Sequence, residues 1–355
     1  MRFLFVIYFL FPLIAWCVEP DFYVWQRQRG ENVERVVREY YRKSTGKLYF
    51  LAGELENNGT IYSAVPEKYV DSARSVPVIR IHIRHMKKTV SQLSGDIIKL
   101  YEPWKNSKAL QVDLDAPESK ISYYRDLMKE LRRRLPGVEL SATVLPCHLK
   151  HTEEFRTLAE VCDFYVLQVH GLTDNGFYSF ILDREIARTA LARAKALNLP
   201  FKTALPLYCS TVSERRVVTP DLDLVSELAK ESPGVIGFRL GTPEDGESLG
   251  LQTTLQICRG EGYSPKLELR WEKQKNGAWH LIIYNDGYFA EYKTFQCKWK
   301  KSVPQYFRGV FNGAVFSYDR LRLKLPPSGK SRVYFWLRTD AENPSENVQF
   351  ILERE

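Results

Sequence analysis

The segment Ala109-Leu110-Gln111-Val112-Asp113-Leu114-Asp115-Ala116-Pro117 is followed by an amphipathic stretch over 121–135 and another apolar run over 139–146. In the stretch 121–135, Ile121, Tyr124, Leu127, Met128, Leu131 and Leu135 recur at three- and four-residue spacing, so they share one helical face. The two flanking runs have strand length. A strand, a helix and a strand in succession return the chain to the same edge of a sheet, so the two strands are parallel.

The same grammar extends in both directions. Strand-like runs fall at 23–27, 48–52, 76–84, 109–115, 139–146, 163–170, 201–208 and 235–240. Ile186, Ala187, Ala190, Leu191, Ala194 and Leu197 predict a second helical face over 183–197, and Thr219-Pro220 reads as an N-cap with proline at the first helical position before 222–230. Eight such units in about 240 residues predict an α/β fold, a (β/α)8 TIM-type barrel. A doubly wound open sheet is the alternative, but no glycine-rich phosphate turn follows the first strand. The second unit is the weakest: Gly53-Glu54-Leu55-Glu56-Asn57-Asn58-Gly59 reads as a hairpin or loop rather than a helix.

After Tyr263 the pattern changes. Short runs at 267–271, 279–284, 290–299, 314–316, 321–325, 333–338 and 348–352 are separated by Asn-Gly, Asp-Gly and Pro-Ser-Gly turns, which predicts a small antiparallel β-sandwich. Its Trp271, Trp279, Trp299 and Trp336 read as core before sugar platforms. The expected organisation is a signal peptide at 1–17, a barrel at 18–262 and a β-sandwich domain at 263–355.

Residues 3–17 form an apolar run behind a single arginine, the length of a signal-peptide core and short for a membrane span. Cleavage before Val18, lipidation of Cys17 and an uncleaved anchor are the three readings. Each makes the protein exported, periplasmic or extracellular, with membrane attachment only through this segment. Five cysteines remain, Cys147, Cys162, Cys209, Cys258 and Cys297, without Cys-x-x-Cys spacing; they read as buried small side chains with room for one disulfide. The formal charge of +8 points to anionic polymers or envelope surfaces. Arg132-Arg133-Arg134 reads as a solvated helix end, and Lys298, Lys300 and Lys301 fall on a strand and turn. No nucleic-acid partner is expected.

In a barrel, chemistry collects at the carboxyl ends of the strands. Residues i and i+2 share a face, so Gln111, Asp113 and Asp115 point inward while Val112 and Leu114 face the helices. Carboxylates buried without partners cost several kcal/mol, roughly, and two so close tend to share a proton. Structural alternatives are salt bridges to Arg84 or Arg239, or an N-cap made by Asp115. On the sixth strand Gln168 and His170 share a face, and His170 is a candidate general acid or base, or a histidine held by its neighbours. Weaker rim candidates are Trp25 and Arg27, His82 with Arg84 and His85, Cys147 with His148, Tyr208, and Arg239. His82, Asp113, Asp115 and His170 have metal-ligand chemistry, but no His-x-x-x-His or His-x-Asp spacing supports a site. No metal or cofactor is expected. A Gly-x-Ser-x-Gly elbow, a P-loop and a dinucleotide fingerprint are all missing from the sequence.

The runs Ala109–Pro117, Tyr123-Tyr-Arg-Asp-Leu-Met-Lys-Glu-Leu-Arg132 and Leu140-Ser-Ala-Thr-Val-Leu-Pro146 resemble an uncharacterised bacterial family of exported proteins. Val24-Trp25-Gln26-Arg27, Val166-Leu-Gln-Val-His170-Gly171 and Ala204-Leu-Pro-Leu-Tyr208 fit the same pattern, which covers roughly residues 22–245. The resemblance implies a glycoside-hydrolase-like TIM barrel. More remotely, the fourth strand is similar to that of family 18 chitinases and related barrels, where an Asp-x-Asp-x-Glu ending supplies the acid that protonates the glycosidic oxygen. In one register Asp113 and Asp115 are the two aspartates and Pro117 stands at the acid position. In the other Gln111 and Asp113 occupy them, and Asp115 replaces the glutamate with a side chain one methylene shorter.

The expected function is therefore a glycoside-hydrolase-like enzyme acting on an envelope or extracellular polysaccharide. Asp115 is the expected proton donor and Asp113 the group that shares its proton. His170 and Gln168 position substrate or water, and Trp25, Arg27, His82, Tyr208 and Arg239 line the glycan site. The alternative is a non-catalytic barrel that binds polysaccharide or peptidoglycan.

Overall fold

The computed structural model describes residues 19–174, 179–213, 216–242, 245–299, 308–338, 344–346 and 348–353. The N-terminal apolar run with Cys17, and Lys300 and Lys301, lie outside the described residues. Eight parallel strands are β1 Asp21–Val24, β2 Leu48–Leu55, β3 Ser75–Ile81, β4 Ala109–Leu114, β5 Glu139–Val144, β6 Phe164–Gln168, β7 Phe201–Pro206 and β8 Val235–Phe238. They pair in sequence order, and β1 pairs with both β2 and β8, so the sheet closes into the barrel.

Helices follow seven of the strands: α1 Glu31–Lys43, α2 Val90–Tyr101, α3 Ile121–Arg134, α4 Thr152–Ala159, α5 Arg184–Leu197, α6 Leu222–Glu231 and α7 Leu251–Cys258. After β2 the chain returns as a short antiparallel strand, Ile61–Ser63, which is the expected hairpin. Where a helix would cover β2, Trp104 packs on Phe50 with ring centroids 5.7 Å apart, and its Nε1 donates to the Ala64 carbonyl at 2.7 Å.

Strand alternation separates two cores. Outward residues such as Phe22, Phe50, Val112, Leu114, Ala142 and Leu205 join the helices in the larger cluster. Inward Tyr23, Tyr49, Val76, Val78, Val166, Ala204 and Ile236 fill the lumen, as barrel interiors are packed rather than hollow. At the amino-terminal end Lys202 Nζ pairs with Asp21 at 2.6 Å, closing the bottom.

The helical faces are as expected for α3, where Ile121, Tyr124, Leu127, Met128 and Leu131 are buried. On α5 one residue departs from the pattern: Ile186 is 52% exposed. The cap of α6 is Asp221, which accepts from the Leu224 N–H at 3.0 Å. Thr219-Pro220 lies before that cap, because a carboxylate with helical reach competes better for the first free N–H groups. All but β2 of the strands end one to three residues before their apolar patterns do. At the rim the chain leaves the ladder while its amides still find partners, as in Leu207 N–H to Phe238 O at 2.6 Å and Leu240 N–H to Tyr23 O at 2.8 Å.

Two four-stranded antiparallel sheets follow the barrel. One orders Lys266–Lys273, Trp279–Asp286, Lys330–Leu337 and Arg308–Val310; the other orders Val315–Ser317, Arg320–Lys324, Tyr292–Trp299 and Val348–Leu352. Leu281, Ile283, Phe295, Leu321, Leu323 and Phe335 form the core of this small sandwich. Gly277, at φ +80°, makes the Asn-Gly turn between the first two strands. Trp271 packs edge-on against Phe335, whereas Trp299 lies beneath the Arg308 guanidinium; both are half-buried. The five cysteines are free thiols, so the single disulfide for which the sequence left room is not formed. Among the described residues no helix is long and apolar enough to cross a membrane.

Candidate active site

Four neighbouring strands place one polar residue each in a single row across the carboxyl mouth. Glu54 is paired in register with Arg80, and Arg80 with Asp113. The pairing of Val112 with Ala142 then sets Thr143 beside Asp113, and the Thr143 hydroxyl donates to Asp113 Oδ1 at 2.6 Å. The Arg80 guanidinium bridges the row, 3.2 Å from Glu54 and 4.0 Å from Asp113 Oδ2.

Glu54 reaches the lumen because β2 carries a bulge between Leu51 and Gly53. One extra residue reverses the alternation beyond it. Leu51 then lies level with inward Val78, and Glu54 with inward Arg80. Gly53 turns outward against α2, where a Cβ would stand 2.9 Å from Leu100 Cδ1. A buried arginine holds the bulge. Arg29, with a side chain 1% exposed, donates to the Leu51 carbonyl, pairs with Glu67 at 3.1 Å and lies over the rings of Phe50 and Trp104. Replacing Arg29 with Met leaves the Leu51 carbonyl without its donor, a loss on the order of 2 kcal/mol for a buried acceptor. Arg29→Met is therefore expected to lower the urea midpoint with an unchanged slope; an unaltered midpoint would show that Arg29 does not hold the bulge.

Asp113 is buried, and its carboxyl is pushed up to about 6, first by burial and then by the charge of Asp115. The Thr143 hydrogen bond and the Arg80 charge pull the other way without overcoming them. Asp115, just past the end of β4, is exposed and makes no hydrogen bond among the described residues. It caps no helix: Pro117 precedes the 3-10 turn Glu118–Lys120, and Lys120 precedes α3. Neither alternative salt bridge forms. Arg84 is exposed, and Arg239 is held by Asp245 at 2.8 Å and Glu247 at 3.5 Å. Arg80, which the sequence reading passed over, is the arginine beside Asp113.

The opposite side of the mouth, built by β1, β8 and the residues after β6 and β7, is aromatic. Trp25 packs edge-on against Tyr23 and Phe238, with centroids 5.6 and 5.2 Å apart. Tyr208 and His170 complete the cluster, His170 lying 5.8 Å from Tyr208 and 5.2 Å from Phe238. His170 opens a hairpin strand, His170–Asp174, that pairs with Ser179–Leu182. Burial lowers its imidazole to about 3, and neither ring nitrogen has a hydrogen-bond partner. It is therefore a neutral, orphaned imidazole near neutral pH. Gln111 is fully buried below Asp113, beside the Tyr23 hydroxyl.

The remaining candidates are placed as follows. Arg27 joins the row by pairing with Glu54, and with Glu56 at 2.8 Å. Gln168 donates to the His170 carbonyl at 3.3 Å. His82 accepts from the Arg84 N–H at 3.2 Å and so caps the short turn Ile83–Lys87. His148 is buried, its ring bonded to the Ala116 carbonyl and the Leu145 N–H. Among the described residues no three His, Cys, Asp or Glu side chains converge to hold a metal ion.

Fold and site together define the class: a closed (β/α)8 barrel with a coupled aspartate pair at the mouth of its fourth strand. Residues 71–231 match a family described as a domain of unknown function, DUF3142. That segment runs from just before β3 to the end of α6 and carries Arg80, Asp113, Asp115, Thr143, His170 and Tyr208. Among solved structures the chain is similar to a chitinase from Chromobacterium violaceum ATCC 12472, at 10% identity and a TM-score of 0.50, covering 70% of this chain and 100% of that one. A class V chitinase from Pseudomonas fluorescens Pf-5 gives 9%, 0.48, and 67% and 99% coverage. The spore cortex-lytic enzyme SleL of Bacillus megaterium QM B1551 gives 12%, 0.44, and 76% and 65%. At these identities the likeness is one of fold. The curated proteins contain no match to the sequence.

Proposed function

We propose that the protein is an exported glycoside hydrolase acting on an envelope or extracellular polysaccharide built from N-acetylated sugars. One observation carries the reading: a buried aspartate held near 6 stands next to an exposed, unbonded one, facing an aromatic wall across the same mouth. Asp115 donates the proton to the glycosidic oxygen. Asp113, whose own carboxyl is raised first by burial and then by the charge of Asp115, holds a proton beside that donor. Of the two registers with family 18 chitinases, the second fits better, because Gln111 and Asp113 are buried in the lumen and Asp115 stands at the rim.

Hydrolysis needs a second group on the far side of the bond. Among the described residues, Glu54, Glu56, Asp245 and Glu247 at the mouth are ion-paired to Arg27, Arg80 or Arg239, and Glu118 after β4 to His151. None of these is offered as a nucleophile, and the reading is completed by attack of the substrate's own acetamido group. Trp25 and Tyr208 are the sugar-stacking surfaces. His170 supplies orphaned ring nitrogens that a substrate hydroxyl or water satisfies on binding. Arg27, His82, Gln168 and Arg239 border the same glycan site.

The test is incubation with chitin oligosaccharides and peptidoglycan fragments, with products followed by mass spectrometry. Shortened N-acetylhexosamine products are the expected result. Glycan binding without any cleavage would replace this reading with a non-catalytic polysaccharide-binding barrel, which the shorter acid side chain favours.

A further inference from the structure

We propose that a groove between the turn after β5 and helix α5 binds a single-chain anionic amphiphile, a short alkyl chain ending in a carboxylate or phosphate. The site is separate from the aspartates and does not rest on the glycan reading.

Ile186 is the starting point. Its neighbours on the helical pattern are buried, yet Ile186 itself is 52% exposed, and Leu172 on the adjoining hairpin is 44% exposed. They do not stand alone. Leu145, Pro146, Cys147, Ile186 and Ala190 line a groove of about 580 Å3. A second recess of about 220 Å3 shares Leu145, Pro146 and Ile186 with it and continues past Leu172 to Gln168 and His170 at the barrel mouth. Adjoining apolar recesses of this kind on an exposed surface mark a place where an apolar group leaves water.

The far end of the trough is cationic. Lys150 and Arg193 border the groove and also flank the next depression, together with Arg156. Among the described residues neither Lys150 nor Arg193 makes a hydrogen bond or close ion pair; the acids nearby are Glu118, whose carboxyl is lowered first by its His151 hydrogen bond and then by the Lys150 charge, and Glu185 on the groove's edge. Two exposed cations at one end of an apolar channel complement a ligand with the same polarity: an anionic head and an apolar tail. Seven residues of helix separate Ile186 from Arg193, about 10 Å, which matches a tail of roughly eight carbons. With the head at Lys150 and Arg193, the tail points toward the hairpin that carries His170.

The experiment is calorimetric titration of the full chain with octanoate, octyl phosphate and octanol. Saturable one-to-one binding of the two anions is expected, with octanol at least fivefold weaker. Thr189 and Arg193 are exposed on α5, so Thr189→Trp and Arg193→Glu leave the packing of the fold intact. Thr189→Trp, which fills the groove, is expected to weaken all three ligands at least tenfold. Arg193→Glu is expected to weaken only the anions, octyl phosphate with its greater charge at least as much as octanoate. Octanoate is also expected to slow maleimide labelling of Cys147 but not of Cys162. Asp115→Asn should bind octanoate as the unaltered chain does, which separates this site from the aspartate pair. Absence of saturable binding, or affinities unchanged in both α5 variants, overturns the proposal.

Discussion

Asp115→Asn is expected to lower turnover of chitin oligosaccharides by about 10³-fold, the usual size of a lost general acid, while binding them as tightly as before. The asparagine keeps the size of the side chain and removes the transferable proton. Asp115 is exposed and makes no hydrogen bond among the described residues, so the fold has little to lose. A loss in kcat with unchanged binding is the signature of an interaction made in the transition state. Asp115→Glu, which restores the missing methylene, is expected to retain measurable activity. Equal turnover in Asp115→Asn and the unaltered chain would remove Asp115 from the mechanism.

The second large effect is on stability, and its sign is opposite to that of most core substitutions. Asp113 has its carboxyl raised from 3.8 to about 6 in the folded chain. Well below pH 3.8 the carboxyl is protonated in both folded and unfolded chains and costs nothing. Between about 4 and 6 the unfolded chain ionises first, so stability falls as pH rises through this window. Above it the deficit is constant, roughly 3 kcal/mol for a shift of this size. Asp113→Asn removes the ionisation and keeps an oxygen for the Thr143 hydroxyl to bond. The variant is expected to be more stable than the unaltered chain at pH 7.5 by up to roughly 3 kcal/mol, and no more stable at about pH 3. Urea unfolding at the two pH values measures it, and the difference between the two proteins is what isolates Asp113. His170 titrates in the opposite sense, because its lowered pKa makes the folded chain lose stability as pH falls from 6.5 toward 3. A variant that is less stable at pH 7.5 would show that Asp113 serves the fold. The expected gain would instead mark a group whose strain is kept for chemistry, and Asp113→Asn should then also turn over more slowly.

The site was partly legible in the sequence. Asp113 and Asp115 stood out because carboxylates alternate with Val112 and Leu114 on a strand that is otherwise apolar, and that period survives any detail of packing. His170, Tyr208 and Trp25 stood out as candidates by their place at the ends of predicted strands. Glu54 and Arg80 were missed. Gly53 broke the alternation of β2, so Glu54 read as loop, and no local rule says that a bulge has turned it inward. Arg80 lay in the middle of a run whose end was placed three residues too far along, at Arg84 rather than Ile81. Arg29 was invisible, since nothing in its neighbours distinguishes a buried arginine from the exposed ones.

Sequence alone determined the repeating strand–helix order, the change to short strands after Tyr263, and the inward face of β4. Each rests on local periodicity and on turn residues, which act over a few neighbours. Closure of the barrel, the row from Glu54 to Thr143, the orphaned His170 ring and the rise of Asp113 were decided by the tertiary structure. They depend on register between strands far apart in the chain and on the removal of water from groups that the fold brings together.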